Sequence, residues 1–185
     1  MAAALGIGLD VEEPVGNMII DIGGGTTEIA VIALSGIVTD QSIRTAGDEF
    51  TDDIMGYMKR QHNILIGERT AEQIKIHVGS ALHELPENEA PEDYAVNGRD
   101  LMTGIPKQIK VSYGEISHAL DKSISKVEDA ILRALENTPP ELASDIYRNG
   151  LYLTGGGALL RGLDRRIAQK TKLPVSVAED PLRAV

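Results

Sequence analysis

Residues 17–34 read NMIIDIGGGTTEIAVIAL, and the rest of the chain is placed relative to this stretch. Met18, Ile19 and Ile20 form a short apolar run that ends in Asp21, and Glu28 to Leu34 is a second run containing β-branched residues, so both read as strands. Between them stands Ile22-Gly23-Gly24-Gly25-Thr26-Thr27. Glycines without Cβ let the backbone turn tightly and bring its N–H groups close to an anion, while Thr26 and Thr27 add hydroxyl donors. A phosphate fits such a loop. Asp21, at the carboxyl end of a buried strand, is placed to hold a hydrated magnesium ion, which keeps most of its waters and takes few protein ligands. Walker A and Rossmann loops both open a helix, the former with Lys-Ser or Lys-Thr after its last glycine, whereas here a strand follows. Taken by itself, the stretch also allows an ordinary hairpin with a glycine-rich turn.

A second glycine cluster lies far downstream. Leu151-Tyr152-Leu153-Thr154 is another short apolar strand, followed by Gly155-Gly156-Gly157 and by Ala158 to Leu163, which reads as a helix start. Strand, triple glycine and helix is a nucleotide-contact geometry. The pair DIGGGTTE (21–28) and TGGGALLRG (154–162) resembles the second phosphate motif and the adenosine motif of the actin-like ATPase superfamily. IRTAGDEF (43–50), IGERTAEQIK (66–75) and GIPK (104–107) resemble the MreB family of bacterial actins, and the resemblance covers essentially the whole chain.

The resemblance implies an α/β fold of the actin-like ATPase, ribonuclease H-like type: a mixed sheet flanked by helices, with a smaller inserted α+β subdomain. Residues 1–46 and 111–185 would form the larger, nucleotide-binding lobe (actin-like subdomain IIA) and residues 47–110 the smaller one (IIB). The implied ligand is ATP or ADP with Mg2+. Gly23, Gly24, Gly25, Thr26 and Thr27 would hold phosphate, and Asp21 would face the metal. Gly47, Asp48, Glu72, Lys75, Gly155, Gly156, Gly157 and Ala158 would hold the ribose and adenine. Family members are ATP-binding cytoskeletal proteins that polymerise head to tail and guide cell-wall synthesis and rod shape. Cell-wall synthesis and membrane-anchored morphogenesis proteins are the implied partners, at the cytoplasmic face of the membrane.

In the family, the stretch resembling Met1 to Leu5 lies inside the chain, and Ala178 to Val185 stops where further sequence usually follows. The chain is therefore expected to correspond to the carboxyl half of a longer protein. The first phosphate loop, the glutamate that positions the attacking water and the main membrane-binding elements are expected upstream of Met1. No catalytic residue is then expected here, and little turnover.

Composition narrows the alternatives. A formal charge of −10 over 185 residues argues against nucleic acid as a main partner, because phosphate neutralisation needs basic clusters. Lys107, Lys110, Arg165 and Arg166 are scattered and read as solvated surface. With no cysteine there is neither a disulfide framework nor a thiolate metal site, which is compatible with a reducing cytoplasm. No apolar run approaches the ~20 residues of a membrane span.

Ala2 to Leu5 reads as helix, and Gly6 to Pro14 as a loop. Ser35-Gly36 is expected to close a hairpin between Glu28–Leu34 and Ile37–Thr45. Asp48 to Arg60 reads as a helix with Phe50, Ile54, Tyr57 and Met58 on one face. Thr70 with Gln73 has capping-box spacing and opens a helix with Ile74 and Val78 inward. On charge pattern alone, Glu72 and Lys75 are a solvated ion pair. Pro86 to Asp93 is an acidic loop, and Asn97-Gly98 reads as a hairpin turn flanked by strands 93–96 and 99–102. Ser112 and Glu115 form a second capping box, opening a long helix that buries Ile116, Leu120, Ile124, Val127 and Ile131. Thr138-Pro139-Pro140 stops it. A short helix over Glu141–Tyr147 follows, and a last strand over Pro174–Val177.

His62, His77, His83 and His118 show no metal-ligand spacing beyond a weak His77/His83/Glu84 possibility. Ser42, Ser112, Ser117 and Ser123 lie in no recognisable nucleophile arrangement. A sugar kinase or exopolyphosphatase of the same fold is the alternative function, and a heat-shock chaperone ATPase domain a third.

Overall fold

The computed structural model describes residues 1–184, and by compactness these divide into two units. One comprises Met1–Gly47, Ser125–Leu159 and Leu163 onward; the other comprises Asp48–Ile124 and Leu160–Gly162. The first division falls after Gly47, and the second falls between Ile124 and Ser125, inside a helix.

The first unit is built on the quoted stretch. Strands β1 (Asn17–Ile22), β2 (Thr27–Ala33) and β3 (Gly36–Ile43) form an antiparallel meander. Strands β7 (Leu151–Thr154) and β8 (Val175–Val177) extend it in parallel, giving the order β3-β2-β1-β7-β8. Period-two alternation divides the two sheet faces. Met18, Ile20, Ile22, Ile29, Val31, Leu151 and Leu153 are buried on one of them. Ile19, Ala30, Ile32 and Tyr152 lie on the other, packed with Ala3, Ala4 and Ile7 of the short helix α1 (Ala2–Gly6) and its outgoing turn. Val127, Ala130, Ile131 and Ala134 of helix α4 (Tyr113–Glu136) and Leu163 and Ile167 of helix α6 (Leu163–Thr171) are buried helical core. Helix α5 (Pro140–Asn149) fastens the start of β1 through Asp145, whose Oδ2 accepts the Gly16 amide at 2.9 Å.

In the second unit, helices α2 (Gly47–His62) and α3 (Glu68–Val78) accompany an antiparallel sheet of β4 (Ile64–Leu65), β5 (Tyr94–Asp100) and β6 (Pro106–Val111). Phe50, Ile54 and Met58 are buried as the helical spacing requires, and so are Ile74 and Val78. The second capping box forms as read. Glu115 Oε2 accepts the Ser112 amide at 3.0 Å, and Ser112 Oγ accepts the Glu115 amide at 3.3 Å.

Five local readings are corrected. The β2–β3 turn is Leu34-Ser35, one residue earlier than Ser35-Gly36. Both residues are left-handed (φ 50° and 57°), which matches the twist of the flanking strands, and their amides bond to Glu13 O and Val11 O. Asn97-Gly98 is not a turn but the middle of β5. A Cβ on Gly98 would come within 2.7 Å of Ile64 Cγ1 and Leu65 O, so glycine is there to let β4 approach. The actual turn, 101–104, is built by Asp100, whose Oδ1 accepts the amides of Met102 (2.7 Å) and Thr103 (3.1 Å), and it leads into β6, a strand the sequence reading missed. Helix α3 starts at Glu68 after an extended Gly67, so Thr70 already lies inside it and caps nothing. From the second glycine of the cluster runs only a 3-10 turn (Gly156–Leu159), and the α-helix waits until Leu163. Finally, Arg166 is not solvated surface: its Nε donates to Glu128 Oε1 at 2.9 Å and its Nη2 to Oε2 at 3.3 Å, and the Glu128 side chain is 7% exposed.

Candidate functional site

The turn after β1 is closed by the Gly23 amide donating to Thr26 O at 3.0 Å. Gly24, Gly25 and Thr26 are exposed, and among the described residues no internal hydrogen bond engages their amides. None of Gly23, Gly24 and Gly25 has a left-handed φ, and a Cβ on Gly25 would meet nothing within 4 Å. The fold itself therefore makes no demand for glycine at 25. What remains is a run of bare amides at the carboxyl end of a buried strand, the arrangement that accepts an anion.

Thr26 and Thr27 part company. Thr26 is exposed, whereas Thr27 is fully buried and its hydroxyl donates to Thr45 O at 2.7 Å, so it is not the hydroxyl donor expected of it. A second stitch lies beside it, the Gly47 amide donating to Gly23 O at 3.0 Å. The residues following β3 thus brace the turn, and Gly47 lies against it.

The other glycine cluster meets the same strand end. Gly155 is left-handed (φ 82°), and a side chain there would collide with the Asp21 carboxylate and the Ile22 carbonyl. A Cβ on Gly157 would collide with Ile22 as well. These glycines are required by close approach, unlike Gly25. The Gly155 amide is used on Pro181 O (3.0 Å) and that of buried Ala158 on Gly155 O (3.1 Å). Gly156 and Gly157 open the 3-10 turn, where no earlier carbonyl of the turn can accept from them.

Asp21 stands opposite Glu28 in the β1–β2 register, on one sheet face. The two carboxylates share a hollow of about 170 Å³ with Met1, Ala2, Ala3, Ile19, Ala30 and Ile32. Partial burial first, and the Glu28 charge second, push the Asp21 carboxyl above its ordinary value, while the amino terminus pulls it down. Like charges facing across strands are unfavourable unless a cation joins them. Magnesium, content with one or two carboxylates plus phosphate oxygens and water, suits this donor set; no cluster of three or more metal-ligating side chains occurs among the described residues.

The remaining candidates fall on the second unit. Asp48 is exposed in the first turn of α2. Glu72 and Lys75 pair at 2.7 Å on α3, with side chains 45% and 17% exposed. The pair is not simply solvated. Thr51 of α2, which the sequence reading passed over, donates to Glu72 Oε2 at 3.0 Å and accepts from Lys75 Nζ at 3.1 Å. Thr51 follows buried Phe50 and precedes Ile54 by three, so its place on the buried face was the available signal.

One serine does meet a histidine and an acid. Ser117 Oγ is 2.8 Å from His83 Nδ1, and His83 Nε2 is 3.8 Å from Asp121. Ser117 is fully buried and donates to Gly114 O at 2.8 Å, which leaves no accessible nucleophile.

A family profile described as MreB/Mbl protein matches residues 1–185. The chain belongs to the MreB/Mbl family. Its sequence is 50% identical to the cell shape-determining protein MreB of Escherichia coli K12 over 185 residues, all of this chain and 52% of the relative. It is 47% identical to the cell shape-determining protein Mbl of Bacillus subtilis 168 over 183 residues, 99% of this chain and 54% of that one. The MreB5 of Spiroplasma citri in its ADP-bound crystal structure superimposes with a TM-score of 0.95 at 45% identity, covering all of this chain and 55% of that one. The fold is therefore the actin-like one of this MreB/Mbl group. The chain spans about half the length of the curated relatives it matches.

Proposed function

We propose that this MreB/Mbl chain binds ADP or ATP with magnesium as part of a cell shape-determining cytoskeletal protein. The observation that carries the reading is the run of unengaged amides at Gly24, Gly25 and Thr26 beside Asp21, in a turn where the fold makes no demand for glycine at 25. Its support is that the MreB5 relative was crystallised with ADP. In this reading the amides of Gly24–Thr26 take phosphate oxygens, with the opening amides of Gly156 and Gly157 adding donors. Asp21, seconded by Glu28, holds the hydrated metal, whose charge offsets that of the phosphates. Asp48, Glu72 and Lys75 take the ribose and base. No residue here is assigned to orient an attacking water, and negligible ATP turnover is expected of the chain alone.

Head-to-tail filament assembly, guidance of cell-wall synthesis and contact with membrane-anchored partners at the inner face of the membrane are the whole-protein roles proposed with it. No helix among the described residues is long and apolar enough to cross a membrane. Calorimetry of ADP with and without magnesium, for the native chain and Asp21→Asn, tests the binding reading. Magnesium should strengthen ADP binding to the native chain and lose most of that effect in the variant. Binding that ignores both magnesium and the substitution contradicts the assignment.

A further inference from the structure

We infer that Thr51 is a positioning residue, holding Glu72 and Lys75 in the single arrangement in which they receive the sugar and base of the nucleotide. The inference rests on the nucleotide reading above and adds to it a residue that no motif contains.

The geometry is a closed ring. Thr51 Oγ1 donates to Glu72 Oε2 (3.0 Å), Lys75 Nζ donates to Thr51 Oγ1 (3.1 Å), and Lys75 Nζ lies 2.7 Å from the same Glu72 oxygen. A hydroxyl has one proton and two lone pairs, so it can serve an acceptor and a donor at once, and here it does. Glu72 and Lys75 are three residues apart on α3 and pair without help, but two long side chains on an exposed helix face exchange among rotamers. Thr51 removes that freedom because it comes from another helix and is itself fixed. It is 4% exposed, and its neighbours Phe50 and Ile54 are core residues. Both contacts converge on Oε2, which leaves Oε1 of the half-exposed Glu72 as an acceptor for a hydroxyl or amine of a ligand. Burial alone would raise the Glu72 carboxyl; the hydrogen bonds from Lys75 and Thr51 and the Lys75 charge outweigh it and hold the carboxyl below its ordinary range.

The experiment compares the native 185-residue chain with Thr51→Val, which keeps shape and removes the hydroxyl, Thr51→Ser, which restores it, and Glu72→Gln. Two readouts are taken: the Glu72 carboxyl titration by carbon-13 NMR, and the dissociation constants of ADP and pyrophosphate. Thr51→Val should move the Glu72 titration up toward the ordinary carboxylate value and weaken ADP about three- to tenfold, the range of one lost hydrogen bond. Pyrophosphate, which has no sugar or base, should bind all four proteins alike, and Thr51→Ser should return both values to native. An unmoved Glu72 titration in Thr51→Val overturns the inference whatever the ligand does. Weaker ADP binding in Glu72→Gln with none in Thr51→Val overturns it too and leaves the nucleotide reading standing. No change in ADP binding for Glu72→Gln sinks instead the assignment of Glu72 to the nucleotide, and the inference falls with it.

Discussion

Gly25 and Gly155 are glycines for different reasons, and substitution separates them. At Gly155 the backbone is left-handed and Asp21 and Ile22 occupy the space of a side chain. Gly155→Ala should therefore cost about 1–3 kcal/mol, the range for a forced backbone conformation, read as a lowered denaturation midpoint. At Gly25 there is open space and no left-handed φ. Gly25→Ala should leave stability within about 0.5 kcal/mol of native while weakening ADP, because the methyl group obstructs a face that only a ligand uses. Equal loss of stability in both variants would show that the first turn is merely structural. The sequence made both clusters visible as bare backbone. It could not say which glycine answers to the fold and which to a ligand, since that depends on Asp21 and Ile22 lying against Gly155. The Thr27 hydroxyl was misread for a similar reason: its acceptor, Thr45 O, is eighteen residues away.

Elements whose cues are local were legible, and those set by contacts from elsewhere were not. The Ser112/Glu115 box opens α4 as its spacing says, because the partners are three residues apart. Asn97-Gly98 carries an equally good turn signal, yet the approach of β4 decides the matter and the strand runs through it. Glu115 also titrates in an informative way. Burial alone would raise its carboxyl, but the Ser112 amide and His62, 2.8 Å away, outweigh that and depress it. A carboxyl depressed in the folded state contributes stability above its unfolded pKa and loses it as pH falls through the folded value. The melting-temperature gap between native and Glu115→Gln should accordingly be widest near neutrality and close below the ordinary carboxylate range. A gap independent of pH would mean that Glu115 acts only through packing. Arg166 and Glu128 tie α6 to α4 with little access to water. Arg166→Ala should cost about 3–5 kcal/mol in chemical denaturation, because an unpaired carboxylate is left behind. A loss under ~1 kcal/mol would return Arg166 to the solvated surface on which its sequence context placed it.

For the molecule as a whole, the family was legible because its motifs are short stretches of backbone chemistry spread from Asp21 to Gly162, and the profile match over residues 1–185 agrees with them. We propose that the chain self-associates weakly. Head-to-tail assembly uses two different surfaces, and a smaller contact leaves less free energy above the fixed cost of association. Sedimentation velocity across a concentration series should show a monomer with weak, concentration-dependent growth. A compact two-fold dimer that survives dilution would mean that these surfaces do something else.

The most direct test of the nucleotide account is an amide-resolved NMR titration of the native chain with magnesium and ADP. The amides of Gly24, Gly25, Thr26, Gly156 and Gly157 should shift together along one saturable curve, while the Thr27 hydroxyl bond to Thr45 is retained. Saturable ADP binding that leaves the Gly24–Thr26 amides unmoved would contradict it.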